Sequence, residues 1–187
     1  MHFEALEKFE WLNDPENVRF DEDAMVIYAK GGTDFWQSIH RNFHKDSGHF
    51  FYTRQEDDFI LTLKWKFGEI KKFSQCGLML RIDERNWLKT SLMNERAGDN
   101  MLVSSLTVGG HSDWAGFRLA GDIHELWFRL QRVGDDYILF YSLDGQIYEK
   151  IRTAYLKGLE EVKVGAYVAS PNETGFSAEL EYIKLGL

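Results

Sequence analysis

Two short stretches set cations beside tryptophans with the alternation of a β-strand. Trp87 and Lys89 flank Leu88, Trp127 and Arg129 flank Phe128, and Arg81 lies between Leu80 and Ile82. Successive side chains of a strand point to opposite faces, so if the aliphatic residues and Phe128 face a core, the indoles and cations face away from it. Flat indoles can stack on a sugar ring, and ammonium or guanidinium groups can hold hydroxyl, carboxylate or phosphate oxygens. Arg81, Trp87, Lys89, Trp127 and Arg129 are therefore expected together on one concave sheet face as a platform for a saccharide or a polar or phosphorylated metabolite. The competing reading makes the outward tryptophans a satellite cluster under loops, with the cations covering them.

Other residue types add to this platform or compete with it. His111-Ser112-Asp113-Trp114 follows Gly109-Gly110 and reads as a loop closing one end of a groove, with Asp113 and Trp114 as binding residues, or as a turn cap and a gap filler. His49 is a candidate hydrogen-bonding residue near the groove, or a structural one. His40, His44 and His49 raise the question of a metal. The phenylalanines Phe43, Phe50 and Phe51 read as strand or turn anchors rather than a helix face, and no cysteine or carboxylate pair completes a ligand set, so no metal is expected. Asp21-Glu22-Asp23 reads as a solvated turn before it reads as a calcium loop. No catalytic residue is assigned. A Glu-x-Asp-x-x-Glu strand and a Gly-x-Ser-x-Gly elbow are both missing, nothing pairs Asp83, Glu95 and Asp113, and Cys76 has no positioned histidine. The Gly-Gly pairs open no helix that could cradle a nucleotide phosphate, and no cofactor is expected.

The elements that must carry these residues are strands. Phe59, Leu61, Leu63, Trp65 and Phe67 share one parity, as do Leu78, Leu80 and Ile82, then Leu88 and Leu92, then Leu126, Phe128 and Leu130, then Val162, Val164, Ala166 and Val168. Further strands are expected at 24–29, 101–108, 136–143, 146–152 and 176–185, with turns at Gly31-Gly32, Gly109-Gly110, Gly134-Asp135 and Asp144-Gly145. No long helical period, repeat or linker interrupts them, so the expectation over residues 1–187 is a single all-β domain, a two-sheet antiparallel sandwich.

Composition narrows the partners. The chain has 187 residues, a net charge of −8 and 15% aromatic residues. The acidic balance opposes binding to nucleic acid. Charges interrupt every apolar run before it could span a membrane. One cysteine, with an acidic start that lacks a signal-peptide core, places the expectation in the cytoplasm.

Several phrases in order carry a family resemblance: Thr33-Asp34-Phe35-Trp36, Asp46-Ser47-Gly48-His49-Phe50, Gln75-Cys76-Gly77-Leu78-Met79-Leu80-Arg81, Asn86-Trp87-Leu88-Lys89, Ser112-Asp113-Trp114, Ser142-Leu143-Asp144-Gly145 and Ala169-Ser170-Pro171. Over most of its length the chain resembles an uncharacterised family of concanavalin A-like lectin/glucanase-fold domains that includes a fungal protein named for regulation of enolase. The resemblance implies a jelly-roll sandwich. It implies no settled activity, and any carbohydrate binding it suggests rests on fold alone. The chain departs from the family pattern at Ser74, where an aspartate is usual, and at Met93, where a glutamate is common. The functional expectation is a non-catalytic binding domain for a saccharide or polar metabolite. A protein-interaction domain acting on a metabolic enzyme is the alternative, and a glycosidase-like enzyme comes third.

Overall fold

The computed structural model describes residues 2–3, 6–38, 43–68, 71–96, 98–157 and 161–187. Among them are a single 3-10 turn, Leu6–Lys8, and eighteen strands. The first six strands are β1 (His2–Phe3), β2 (Glu10–Leu12), β3 (Asn17–Phe20), β4 (Met25–Ala29), β5 (Phe35–Gln37) and β6 (His44–Asp46). The long central strands follow: β7 (His49–Gln55), β8 (Phe59–Phe67), β9 (Gln75–Asp83), β10 (Asn86–Met93) and β11 (Met101–Val108). The remainder are β12 (His111–Ser112), β13 (Ala115–Arg118), β14 (Glu125–Val133), β15 (Asp136–Ser142), β16 (Glu149–Tyr155), β17 (Val162–Ala169) and β18 (Phe176–Gly186).

They form two eight-stranded sheets and one extra hairpin. The first sheet runs β16-β15-β14-β8-β18-β4-β3, with β1 added beside β18; the second runs β12-β11-β10-β9-β17-β7-β2, with β13 beside β11. All pairings in the sheets are antiparallel except that of β1 with β18. This is the expected all-β two-sheet sandwich. No helix among the described residues is long and apolar enough to cross a membrane.

The alternation read from the sequence builds the inter-sheet core. Leu61, Leu63, Trp65, Phe128, Leu130, Leu180 and Ile183 of the first sheet meet Leu78, Leu80, Leu88, Leu92, Val164, Ala166 and Val168 of the second. Trp65 also donates its indole N–H to the Gly77 carbonyl across the sandwich at 3.0 Å, so the largest core side chain leaves no polar atom unpaired.

A second, smaller core lies on the outer face of the second sheet. Phe35, Phe50, Tyr52, Met79, Trp87, Tyr167 and Ala169 pack there, and Phe35 comes from the extra hairpin β5–β6. The hairpin turns part of an outward face into an interior.

Three expectations change here. Trp87 is fully buried, 0% exposed, in the outer cluster, and so belongs to the packing. Trp127 and Arg129 sit on β14 of the first sheet, whereas Arg81, Trp87 and Lys89 sit on β9 and β10 of the second, so the five residues occupy the outer faces of opposite sheets. Parity reports which way a side chain points relative to its own sheet, not which sheet that is. Last, the strand expected to resume at Gln146 begins at Glu149. The Asp144 carboxylate accepts the N–H groups of Gln146 and Ile147, while Ser142 Oγ accepts those of Asp144 and Gly145. These side-chain bonds replace the ladder and lengthen the turn.

Trp87→Ala should lower stability by about 3–5 kcal/mol, the cost of emptying a large buried site. The comparison is Trp114→Ala, at a residue 40% exposed, for which a change under about 1 kcal/mol is expected. Urea denaturation of both variants checks this; a Trp87 variant as stable as the parent would return the residue to the ligand platform.

Candidate functional site

The outer core is pinned by one buried cation. Lys89 extends from β10 under the start of the hairpin and is 4% exposed. Its ammonium donates to the Phe35 carbonyl at 2.8 Å, to Gln75 Oε1 at 3.1 Å and to Asp34 Oδ1 at 3.3 Å. It also lies 5.4 Å from the ring centroids of Trp87 and of Tyr167. All three N–H donors are thus used, and the charge is flanked by two π faces. Burial pushes the Lys89 ammonium below its ordinary range, and the Asp34 carboxylate opposes that shift. Tyr167 donates its O–H to Gln75 Oε1 at 3.1 Å, and its own burial pushes the phenol upward.

A second cation holds the other strand at the same end of the hairpin, where Asp46 is paired with Phe35. Arg81, 5% exposed, makes a bidentate pair with Asp46 at 2.5 and 2.8 Å and lies 5.6 Å from the Phe35 ring centroid. Both Arg81 and Lys89 are therefore committed within the protein.

Beside this arrangement opens a pocket of about 610 Å³. Its floor is the outer face of the second sheet, with Gln75, Lys89, Met93, Val103, Ser105 and Tyr167; Asp34, Trp36, Phe43, Phe73, Glu95, Trp114 and Pro171 form its walls and rim. The rim is aromatic and wet: Phe43 is 45%, Phe73 36% and Trp114 40% exposed. Phe73 presents its ring from a left-handed backbone, φ 62°, a conformation that costs a bulky L-residue about 1–2 kcal/mol. Bonds from the Phe73 N–H to the Asn94 carbonyl, 2.6 Å, and from Gln75 Nε2 to the Phe73 carbonyl, 3.3 Å, hold it there.

Of the residues singled out from the sequence, only Lys89 and Trp114 line this pocket. Arg81 and Trp87 support it from beneath. Trp127 instead packs on Tyr182 at 5.2 Å, under Gly145, where a Cβ would come within 2.7 Å of the indole. Arg129 lies 3.5 Å over the Tyr148 ring and bonds Thr62 Oγ1. Those two form the satellite cluster under a loop. His49 is 4% exposed with both ring nitrogens engaged, Nδ1–H donating to the Asn13 carbonyl at 2.7 Å and Nε2 accepting from the Lys30 N–H at 3.1 Å. The ring is thereby a staple between loops.

Asp113 caps the turn before Trp114. It accepts the Leu106 N–H and pairs with Arg152 of β16, tying the second sheet to the first beside the rim. Burial would raise its carboxyl, but Arg152 and the Leu106 N–H outweigh that and hold it below the usual range. Asp34 and Glu95 are the carboxylates at the pocket, and Asp34 Oδ1 is already bonded to Lys89 and to the Phe35 N–H. Among the described residues no group of three or more His, Cys, Asp or Glu could hold a metal; His40 lies outside them. Cys76 is fully buried and its thiol is pushed far up by desolvation, which keeps it unreactive.

Trp36, Phe43, Phe73, Gln75 and Tyr167 were not named from the sequence as site residues. Trp36 and Gln75 belong to the phrases that carry the resemblance, and Met93, one of the two departures, lies in the pocket floor.

Sandwich, outer hairpin and pocket define a jelly-roll domain of the concanavalin A-like class. The chain belongs to the DUF1349 family, proteins of unknown function, whose model matches residues 11–186. It is 26% identical over 165 residues, 88% of this chain and 82% of the relative, to Regulation of enolase protein 1 of Saccharomyces cerevisiae. The crystal structure of a functionally unknown protein from Saccharomyces cerevisiae superposes with a TM-score of 0.87 at 26% identity, covering 96% of both chains. The carbohydrate-binding module CBM66 from Bacillus subtilis shares the fold, with a TM-score of 0.61 at 11% identity over 95% of each chain.

Lys89→Met should destabilise the protein by about 3–5 kcal/mol, because Asp34 is left as a poorly solvated, unpaired carboxylate. The pH dependence has a definite sign. Between the lowered folded value of Lys89 and its ordinary 10.5, the unfolded chain holds a proton that the folded chain has released. The stability of the parent therefore rises with pH in that window relative to Lys89→Met, and urea titrations of both across the alkaline range measure the difference. A constant difference would show that the ammonium is not desolvated.

Proposed function

We propose that the chain acts as one non-catalytic binding domain for a saccharide or a similar polyhydroxylated metabolite, taken up in the pocket beside the β5–β6 hairpin. One observation carries the reading: exposed aromatic side chains, Phe43, Phe73 and Trp114, ring a pocket of about 610 Å³ whose floor sets Gln75, Lys89, Ser105 and Tyr167 beside Met93 and Val103. Ligand pockets commonly measure roughly 300 to 1,000 Å³ and combine apolar walls with a few placed polar groups. Rings of this kind offer flat faces to the C–H side of a sugar, and the floor offers oxygens to its hydroxyls. The carbohydrate-binding module with the same fold supports the reading by analogy of architecture. The buried single cysteine fits a reducing, cytoplasmic setting.

A regulatory, protein-binding role is the second reading, favoured by the name of the yeast relative and by the same exposed rim, since aromatic anchors dominate protein interfaces. The two differ in what fills the pocket.

A thermal-shift screen with mono- and oligosaccharides separates them. A saturable rise in the midpoint is expected from one class of sugar, because a ligand of the native state stabilises it. Trp114→Ala should weaken that ligand by about tenfold while leaving the midpoint of the free protein close to the parent's. A flat response across the panel would sink the saccharide reading and leave the protein partner.

A further inference from the structure

The hydrogen-bond accounting of the pocket goes one step beyond the proposed binding role and rests on it. Among the described residues Lys89 is the one cation that lines the pocket, and its three donors are taken by Asp34, the Phe35 carbonyl and Gln75. Tyr167 gives its proton to Gln75, and Ser105 gives its own to the Asp113 carbonyl. Gln75 commits its carbonyl oxygen to Lys89 and Tyr167, and one amide hydrogen to Phe73.

What these groups retain is mostly accepting capacity. The hydroxyl oxygens of Ser105 and Tyr167 keep lone pairs after donating. Glu95 is exposed at the rim, and among the described residues it has no hydrogen bond or ion pair. Its carboxylate therefore keeps its full accepting capacity.

The two buried cations near the pocket are each paired. Lys89 stands against Asp34, and Arg81 against Asp46. Lys72, bridged in register to Asn94 beside Glu95, holds its ammonium 5.0 Å over the Phe73 ring and does not line the pocket. Among the described residues, the lining offers an anion a free carboxylate and no cation besides the committed Lys89. A cationic group would meet the Phe73 face already shared with Lys72.

We infer that the pocket selects uncharged ligands that present hydroxyl donors, with Glu95 as the principal free acceptor, and that it rejects phosphorylated, sulfated or carboxylated counterparts of the same ligands. This narrows the expectation of a saccharide or a polar or phosphorylated metabolite, which took Lys89 and Arg81 as free to hold ligand oxygens. Their charges are spent inside the protein, on holding the hairpin.

The test is an array of neutral oligosaccharides printed beside their sulfated, phosphorylated and uronic-acid counterparts, with a set of amino sugars, probed with the parent protein, Glu95→Ala and Glu95→Lys. Binding confined to neutral glycans is expected. Glu95→Ala should weaken it by about tenfold, as expected for loss of a charge-assisted hydrogen bond. Glu95→Lys should lose the discrimination against the acidic counterparts. Glu95 is exposed, so both variants should melt with the parent. Preferential binding of acidic glycans or of amino sugars by the parent would overturn the selectivity while leaving the binding role in place. Unchanged neutral binding in both Glu95 variants would remove Glu95 from the site. Absence of any glycan signal, with none lost in Trp114→Ala, would overturn the binding role and this inference with it.

Discussion

The ammonium of Lys89 is the interaction on which the outer layer of the molecule depends. A charge buried on a sheet face is costly unless acceptors surround it, and here they arrive from separate pieces of chain: a side chain and a carbonyl at the start of the hairpin, and an amide on the neighbouring strand β9. The hairpin joins neither sheet, since β5 and β6 pair only with each other; besides Phe35 in the outer core, the Gln37 N–H bonded to Ser112 Oγ and the Asp46 carbonyl accepting from Asn13 tie it down. Arg81 holds Asp46 on the other strand at the same end. The two cations therefore pin both strands of the hairpin. The hairpin in turn covers Trp87 and supplies Asp34 and Trp36 to the pocket.

The sandwich was legible because a strand with one dry face has a period of two, as β8, β14 and β15 show. Phe59, Leu61, Leu63, Trp65 and Phe67 all lie in the inter-sheet core. What parity cannot encode is sheet membership, which depends on pairings between strands distant in sequence. Trp127 and Arg129 repeat the local pattern of Trp87 and Lys89, yet β14 pairs with β8 and β15 while β10 pairs with β9 and β11. Nor can parity say whether an outward face is wet. The hairpin that buries Trp87 and Lys89 comes from residues 35–46, more than forty positions upstream.

The rim of the pocket was hidden for a related reason. Trp36, Phe73 and Trp114 come from three loops or short strands with no common period, and only folding brings them to one opening. His49 shows the converse. Its placement in a family phrase marked it for function, yet both ring nitrogens join loops, so a residue can be held in a motif by what it staples. The left-handed backbone of Phe73 is the kind of local cost that no composition reveals, and it lies at the pocket rather than in the core.

Because the polar groups of the floor are satisfied by one another, the pocket needs no ligand to keep its shape. That separates stability from recognition. The inter-sheet core and the Lys89 arrangement hold the scaffold, while the exposed rings of Phe43, Phe73 and Trp114 and the carboxylate of Glu95 contribute little to it and are free to be tuned. A preorganised floor spares any ligand much of the ordering cost of binding, which is the physical basis of the proposed role. The same logic explains how a fold can persist at 11% identity, as between this chain and a bacterial carbohydrate-binding module. The alternating core defines the sandwich, and recognition resides in the loops that rise above one of its faces.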